Sequence, residues 1–402
     1  MNQTKSAFTG RCSNLWILFL AMACTGTGHA AASDPLESAY ARRDYFALRE
    51  LLSHSASDAA SPRRVFLRAA VATAFAHHEQ AANLLSGILS APLPDPSLEF
   101  DARELLMLNE RAVFHYRAAL AAIAPVLQHP SPGAESVRDN FENLSRLLNA
   151  IVDVRAQTAE ISGRSILPRG RDGRFPAQID GFALSMGFDT GANFSFLARS
   201  VALAAGLEIR PASLRIGSST GHDITADMAV GDVTFGSVRL HRVVFLIMPD
   251  AVLTMPDGFV MKGLLGFPVI AALGPLHYRA DGTIEVGAPA PQVAPNLALQ
   301  RNDVLLRVKY GTDFLVCRLD TGADESVFYE PFVRRHPELL ADPARAYLLK
   351  LGGAAGAHEI PALHLDPMVL GIAGQTVVLH GTSAMTKPIV PADQNFLDGN
   401  LG

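Results

Sequence analysis

Cysteine and tryptophan are scarce in this chain: its 402 residues hold 3 cysteines and 1 tryptophan. So few cysteines cannot build a disulfide framework. Charge is sparse too, at 18% Asp, Glu, Lys and Arg with a net of -5, so there is no whole-chain basic excess to hold a nucleic-acid backbone. No apolar run reaches the about 20 residues that a membrane-spanning helix needs. What remains is 49% hydrophobic residues with 32 glycines and 25 prolines, the make-up of an ordinary globular chain. At about 150 residues per domain the length allows two or three domains.

The first thirty-odd residues read as an export signal. Lys5 and Arg11 are the only charges before Asp34, residues 15–23 are apolar, and small residues fill 25–32. That order of polar, apolar and small segments is the secretory pattern, with cleavage after Ala30 or Ala32. Lipid attachment through Cys24 is disfavoured, because Ala21 stands where a leucine is usual. The expectation is a signal peptide over 1–32 and a secreted or periplasmic protein with no membrane span once the signal is removed. Removal takes Cys12, Trp16 and Cys24 with it. Cys317 is then left without an intramolecular partner, and its apolar surroundings point to a buried, inert thiol.

Residues 34–158 carry helical periodicity. Residues 65–90 and 98–128 each read as one long helical stretch, and Phe141, Leu144, Leu147, Leu148 and Ile151 fall at three- and four-residue spacing. Pro92, Pro94, Pro96, Pro130 and Pro132 punctuate between stretches. An all-α domain, repeat-like in arrangement, is expected here, serving as a structural cap, a pro-segment or a docking scaffold for a protein partner. From residue 161 glycines become frequent and strand-like alternation takes over. Two strand-rich lobes are predicted at 161–287 and 299–402, joined by a Pro-rich linker at 288–298.

The two lobes repeat one another. FDTGANFSF around Asp189 matches LDTGADESVF around Asp320, with the motifs 131 residues apart. TGHDITA from Thr220 matches GAHEIPA from Gly356, and GLLG ending at Gly266 matches GNLG ending at Gly402. Landmarks recurring in one order argue for duplication. The second copy stops at Gly402, whereas the first continues past Gly266 to a closing strand around 283–286. The second lobe is therefore expected to be incomplete at its C-terminus.

The doubled Asp-Thr-Gly carries the chemistry. A tight turn after a strand presents an Asp carboxylate, the Thr hydroxyl locks the turn, and Gly lets backbone approach where a side chain would clash. Two such turns facing each other place two carboxylates too close for both to ionise, so the pair holds one proton. The ionised member then takes a proton from a water while the protonated one polarises a carbonyl. No metal, cofactor or covalent nucleophile is needed.

On these residues the chain resembles the retropepsin-like aspartic proteases of bacteria, with both lobes on one chain. LDTGADESVF is similar to the active-site strand of the retroviral enzymes. The resemblance covers about 161–402. It implies a multidomain protein, an all-α N-terminal domain followed by a mainly-β bilobal acid-protease fold, that hydrolyses peptide bonds in peptide or protein substrates. It implies Asp189 and Asp320 as the catalytic pair, with Thr190, Gly191, Thr321 and Gly322 supporting the loops. Ala192, Asn193, Ala323 and Asp324 would line the substrate. Leu264-Leu265-Gly266 fits the family's apolar-apolar-Gly signature, whereas the second copy has Asn400 where an apolar residue is usual. The Gly-rich tips at 217–221 and 352–356 occupy the family's flap positions. Alanine after each Asp-Thr-Gly removes the hydroxyl donors of the pepsin type, which predicts a less acidic pH optimum.

Rival motifs are weaker. Gly217-Ser218-Ser219-Thr220-Gly221 matches a serine-hydrolase elbow, but no helical pattern follows it and Ala355 replaces Ser219 in the second copy. His78-Glu79 opens a zinc-protease motif whose second His is Ala82. The alternative from another class is a non-catalytic module that binds an extended peptide as an added strand, with the helical domain recruiting a partner.

Overall fold

The computed structural model describes residues 18–19, 34–54, 61–128, 135–167, 169–170, 173–218, 223–254, 258–290, 295–353, 356–388 and 396–402. The predicted signal segment apart from residues 18–19, residues 219–222 of the first flap tip and residues 354–355 of the second lie outside them. No helix among the described residues is long and apolar enough to cross a membrane.

Seven helices among the described residues fill the N-terminal region: α1 Pro35–Ala41, α2 Tyr45–His54, α3 Pro62–Ala74, α4 His78–Ile88, α5 Pro96–Ala112, α6 Tyr116–Gln128 and α7 Glu135–Ala150. Three starts share one device. The side chains of Asp34, Ser61 and Asp95 accept from the first-turn amides of α1, α3 and α5, each followed by proline at the first helical position. A missing N–H costs nothing at that position, so Pro96 opens α5.

The two long stretches predicted over 65–90 and 98–128 are each a helical hairpin instead. The turns fall at Ala76 and Phe114, with a matching one at Arg43, all in left-handed backbone at φ 59°, 64° and 56°. Each closes with a six-residue backbone bond: Asp44 N to Ala39 O at 3.0 Å, His77 N to Ala72 O at 2.8 Å, His115 N to Glu110 O at 2.8 Å. No glycine marks these turns, so the apolar period ran through them.

Two lobes of sheet follow. The first contains a nine-stranded sheet, counting Leu18–Phe19, which pairs with Gly217 and Ser218. It begins at Thr158–Ile161, earlier than the predicted boundary, because that segment pairs with Val238–Met248. A three-stranded sheet of Ser165–Leu167, Ile284–Val286 and Leu276–Tyr278 closes it. The second lobe is a ten-stranded sheet. Its strand Leu297–Gln300 pairs with Asp303–Tyr310, so sheet structure begins inside the segment predicted as linker.

The lobes share one central pairing. Phe182–Phe188 runs parallel to Gly263–Leu265, which lies antiparallel to Ser195–Ala198. In the second lobe Asp313–Leu319 runs parallel to Gly399–Leu401, which lies antiparallel to Val327–Phe328. Each lobe adds a hairpin, Arg210–Ser218 with Asp223–Phe235 and Ala346–Gly353 with Gly356–His364.

The helices do not stand apart from the lobes. Leu48, Phe66, Leu67 and Leu98 share one core with Leu305, Val327, Leu349 and Ile360 of the second lobe. Met107, Ile123, Phe141 and Leu147 share another with the first lobe. Helix α5 therefore contributes to both. Asn143 of α7 also bonds both backbone groups of Arg215, at 2.8 and 2.9 Å, and so docks α7 on the first hairpin.

A left-handed alanine carries about 1–2 kcal/mol of strain that glycine avoids, partly offset by glycine's greater unfolded-state freedom. Ala76→Gly at this exposed turn should therefore raise the unfolding free energy by about 0.5–1 kcal/mol, measured by denaturant titration with an unchanged slope.

Candidate active site

Each Asp-Thr-Gly turn sits at the end of a central strand and is held from behind by the crossing strand. Asp189 N donates to Leu265 O at 3.0 Å and Asp320 N donates to Leu401 O at 2.9 Å. Gly266 and Gly402 are required by space. A Cβ on Gly266 would stand 2.6 Å from the Phe194 carbonyl, and one on Gly402 would stand 2.7 Å from the carbonyl oxygens of Ala323 and Glu325.

The turns are locked to each other across the lobes. Thr190 Oγ1 donates to Leu319 O at 2.7 Å and accepts from Thr321 N at 3.0 Å. Thr321 Oγ1 donates to Phe188 O at 3.2 Å and accepts from Thr190 N at 3.1 Å. These four bonds, two from each hydroxyl, fix the separation of the turns. Asp189 and Asp320 are fully buried at their meeting point. A Cβ on Gly322 would fall 2.5 Å from Asp189 Oδ2, and one on Gly191 would fall 2.8 Å from Asp320 Cγ. Each carboxyl thus fills the space that the opposite glycine leaves.

Comparison with known proteins bears on this half of the molecule. Residues 175–269 match the aspartyl protease family model. A retropepsin-like aspartic protease from Rickettsia conorii is among the matching solved structures, at 18% identity, covering 33% of this chain and 96% of that one, with a TM-score of 0.24. No curated protein matches the chain. The family match, confined to the first lobe, supports a hydrolase of the peptidase class.

The donors around the two carboxyls are unequal. Gly191 N donates to Asp189 Oδ1 at 2.7 Å and Gly322 N to Asp320 Oδ1 at 3.0 Å. Asp320 Oδ2 also accepts from Asn400 Nδ2 at 3.0 Å. Asp189 Oδ2 is buried without a donor. Burial, then the nearby Asp320 charge, pushes the Asp189 carboxyl well above the ordinary aspartate value of 3.8.

The remaining predicted residues divide. Ala192 is fully buried, with its carbonyl taken by Phe267 N at 2.9 Å. Asn193 lends its carbonyl to Asn302 Nδ2 at 2.9 Å, while its own Oδ1 is buried without a partner. Ala323 N closes its turn on Asp320 O at 3.2 Å, and Asp324 is exposed. Four further residues belong to the site: Arg111, Asn302 and Arg318, which fall in no motif, and Asn400, which breaks one. Arg111 of α5 donates to Asn302 Oδ1 at 3.1 Å and lies 5.2 Å from the Phe194 ring centre, so the helical region reaches the first Asp-Thr-Gly turn through one asparagine. The one cue available was the break in the apolar-apolar-Gly signature at Asn400.

Elsewhere His78 bonds Asn109 between helices at 2.9 Å. No cluster of three His, Cys, Asp or Glu that could hold a metal occurs among the described residues. Cys317 is buried, which pushes its thiol well up and leaves it unreactive.

Two expectations follow from this geometry. Thr190→Val leaves the Leu319 carbonyl and the Thr321 amide unpaired and should cost about 2–4 kcal/mol of stability, with Thr190→Ser close to the parent. Because Asp189 is raised in the folded state, its contribution is fully present below about pH 3.8 and is lost as pH rises through the higher folded value. Stability should fall across that window by up to about 1.4 kcal/mol per pH unit, and Asp189→Asn should remove that component of the slope.

Proposed function

We propose that the protein is an aspartic endopeptidase in which Asp189 and Asp320 share one proton and activate a water against a peptide bond. The observation that carries this reading is the mutual burial of the two carboxyls against the opposite glycines. Two carboxylates so placed cannot both be charged, and the interlocked threonines prevent their separation. The ionised carboxylate takes a proton from the water as its oxygen bonds the carbonyl carbon. The protonated one gives its proton to the carbonyl oxygen. When the C–N bond breaks, the first carboxyl returns its proton to the leaving nitrogen and the second recovers one from a hydroxyl of the tetrahedral carbon. The cycle closes with the dyad singly protonated.

The substrate in this reading is an extended peptide lying between the dyad and the two hairpins, whose place in each repeat suits mobile covers. Duplication of one lobe accounts for the shared central pairing. The protein is exported, to the periplasm or beyond, on the signal pattern of residues 1–32. Upward displacement of Asp189 supports an optimum well above that of the pepsin type.

Asp189→Asn and Asp320→Asn should each lower peptide cleavage by at least about a thousandfold while the folded state persists. Undiminished cleavage by either variant, assayed on a peptide library across the pH range, rules the mechanism out.

A further inference from the structure

The lobes differ at one cross-strand pair directly beneath the dyad. In the first lobe Leu264 lies opposite Gly187; in the second, Asn400 lies opposite Arg318 at the same register. Arg318 is 1% exposed and Asn400 5%, so a charge and an amide occupy a place filled in the other lobe by leucine and a bare backbone. Arg318 Nε donates to Asn400 Oδ1 at 2.9 Å. A guanidinium has no acceptor, so the amide oxygen must face it and the amide NH2 must face Asp320. That NH2 donates to Asp320 Oδ2 at 3.0 Å.

Both oxygens of Asp320 are therefore occupied by fixed donors, from Asn400 and from Gly322 N. Asp189 has one donor, on Oδ1. A carboxylate accepts only, whereas a carboxylic acid needs one oxygen free to donate. Resting on the dyad reading above, we propose that Asn400, oriented by the buried guanidinium of Arg318, fixes Asp320 as the ionised base of the pair and Asp189 as the holder of the shared proton. Asn400 and Arg318 are positioning residues: Asp320 takes the proton of the water, and Asp189 protonates the carbonyl oxygen.

Other charged or titratable groups face this arrangement. Asp303 lies 3.5 Å from Arg318 on the neighbouring strand, and the Tyr329 hydroxyl lies 3.5 Å from its other terminus. Arg301 lies near Asp303, and Tyr278 approaches Thr321 and Asp189 from the first lobe's closing sheet. None of these gives Asp189 Oδ2 a hydrogen bond.

Two measurements test the assignment. In Asn400→Leu the ionised form of Asp320 loses its donor, so the acid limb of the kcat/KM profile should move up by about one pH unit. Infrared difference spectra near neutral pH should show loss of one protonated carboxyl in Asp189→Asn, none lost in Asp320→Asn, and its return in Asp189→Asn/Asn400→Leu. An unmoved acid limb in an Asn400→Leu enzyme that cleaves overturns the assignment, as does a protonated-carboxyl signal undiminished in Asp189→Asn. Either result leaves the dyad standing, because the dyad fails only on cleavage that survives loss of an aspartate. The infrared arm on the single Asp variants needs neither turnover nor a substitution at Asn400.

Discussion

Everything at the site depends on forcing two acidic groups into one buried space. Like charges in a low-dielectric pocket repel strongly, and an unconstrained pair would part. Here the separation is set by main-chain atoms. Each threonine hydroxyl spends its donor on the carbonyl before the opposite aspartate and its acceptor capacity on the opposite threonine amide. The repulsion therefore cannot relax by motion. In the proposed chemistry it relaxes by retention of a proton. Glycines at 191 and 322 complete the arrangement, since a methyl at either would meet the facing carboxyl.

The helical region belongs to this constraint. It shares one apolar core with each lobe, through α1–α5 on the second and α5–α7 on the first. Polar anchors concentrate on the turn before Asp303. Tyr45 bonds Gln300, Glu104 bonds Arg301 at 2.9 Å, and Arg111 bonds Asn302, which holds the carbonyl of Asn193 beside the first Asp-Thr-Gly turn. Arg111 is buried, which lowers its guanidinium to about 10 yet leaves it charged at neutral pH. Burying that charge is costly unless its hydrogen bonds are kept, so the link resists being pulled apart. Its shared cores with both lobes are those of a structural support.

How much was legible in the sequence follows the range of the interactions involved. The Asp-Thr-Gly turns, the glycine beneath each and the helical stripe of Phe141, Leu144, Leu147, Leu148 and Ile151 are local patterns, and they read directly. The turns at Arg43, Ala76 and Phe114 did not, because their left-handed backbone is closed by six-residue backbone bonds and is not marked by a glycine. The segment predicted as linker contains strand residues from Leu297 because a tight hairpin pairs them with Asp303–Tyr310, and that ladder outweighs local proline content. Arg111 and Asn302 were invisible because of range: each is an ordinary polar residue until the fold brings them together, 191 positions apart.

Asn400 occupies a middle case and explains what a single chain gains over two identical ones. In a two-fold dimer any substitution beneath one catalytic turn appears beneath both. A donor added to one carboxylate would be added to its mate, and the proton would have no reason to prefer either. Joining the lobes in one chain removes that restriction. Gly187 and Leu264 can stay small and apolar while Arg318 and Asn400 become a charged, hydrogen-bonded pair at the equivalent register. The departure from the apolar signature is then the one place where two similar lobes were free to differ at the dyad itself. The difference is also of the right kind, because an amide held by a donor-only guanidinium can present nothing but N–H to Asp320. Symmetry brings the carboxyls together, and the broken symmetry beneath them decides which one keeps the proton.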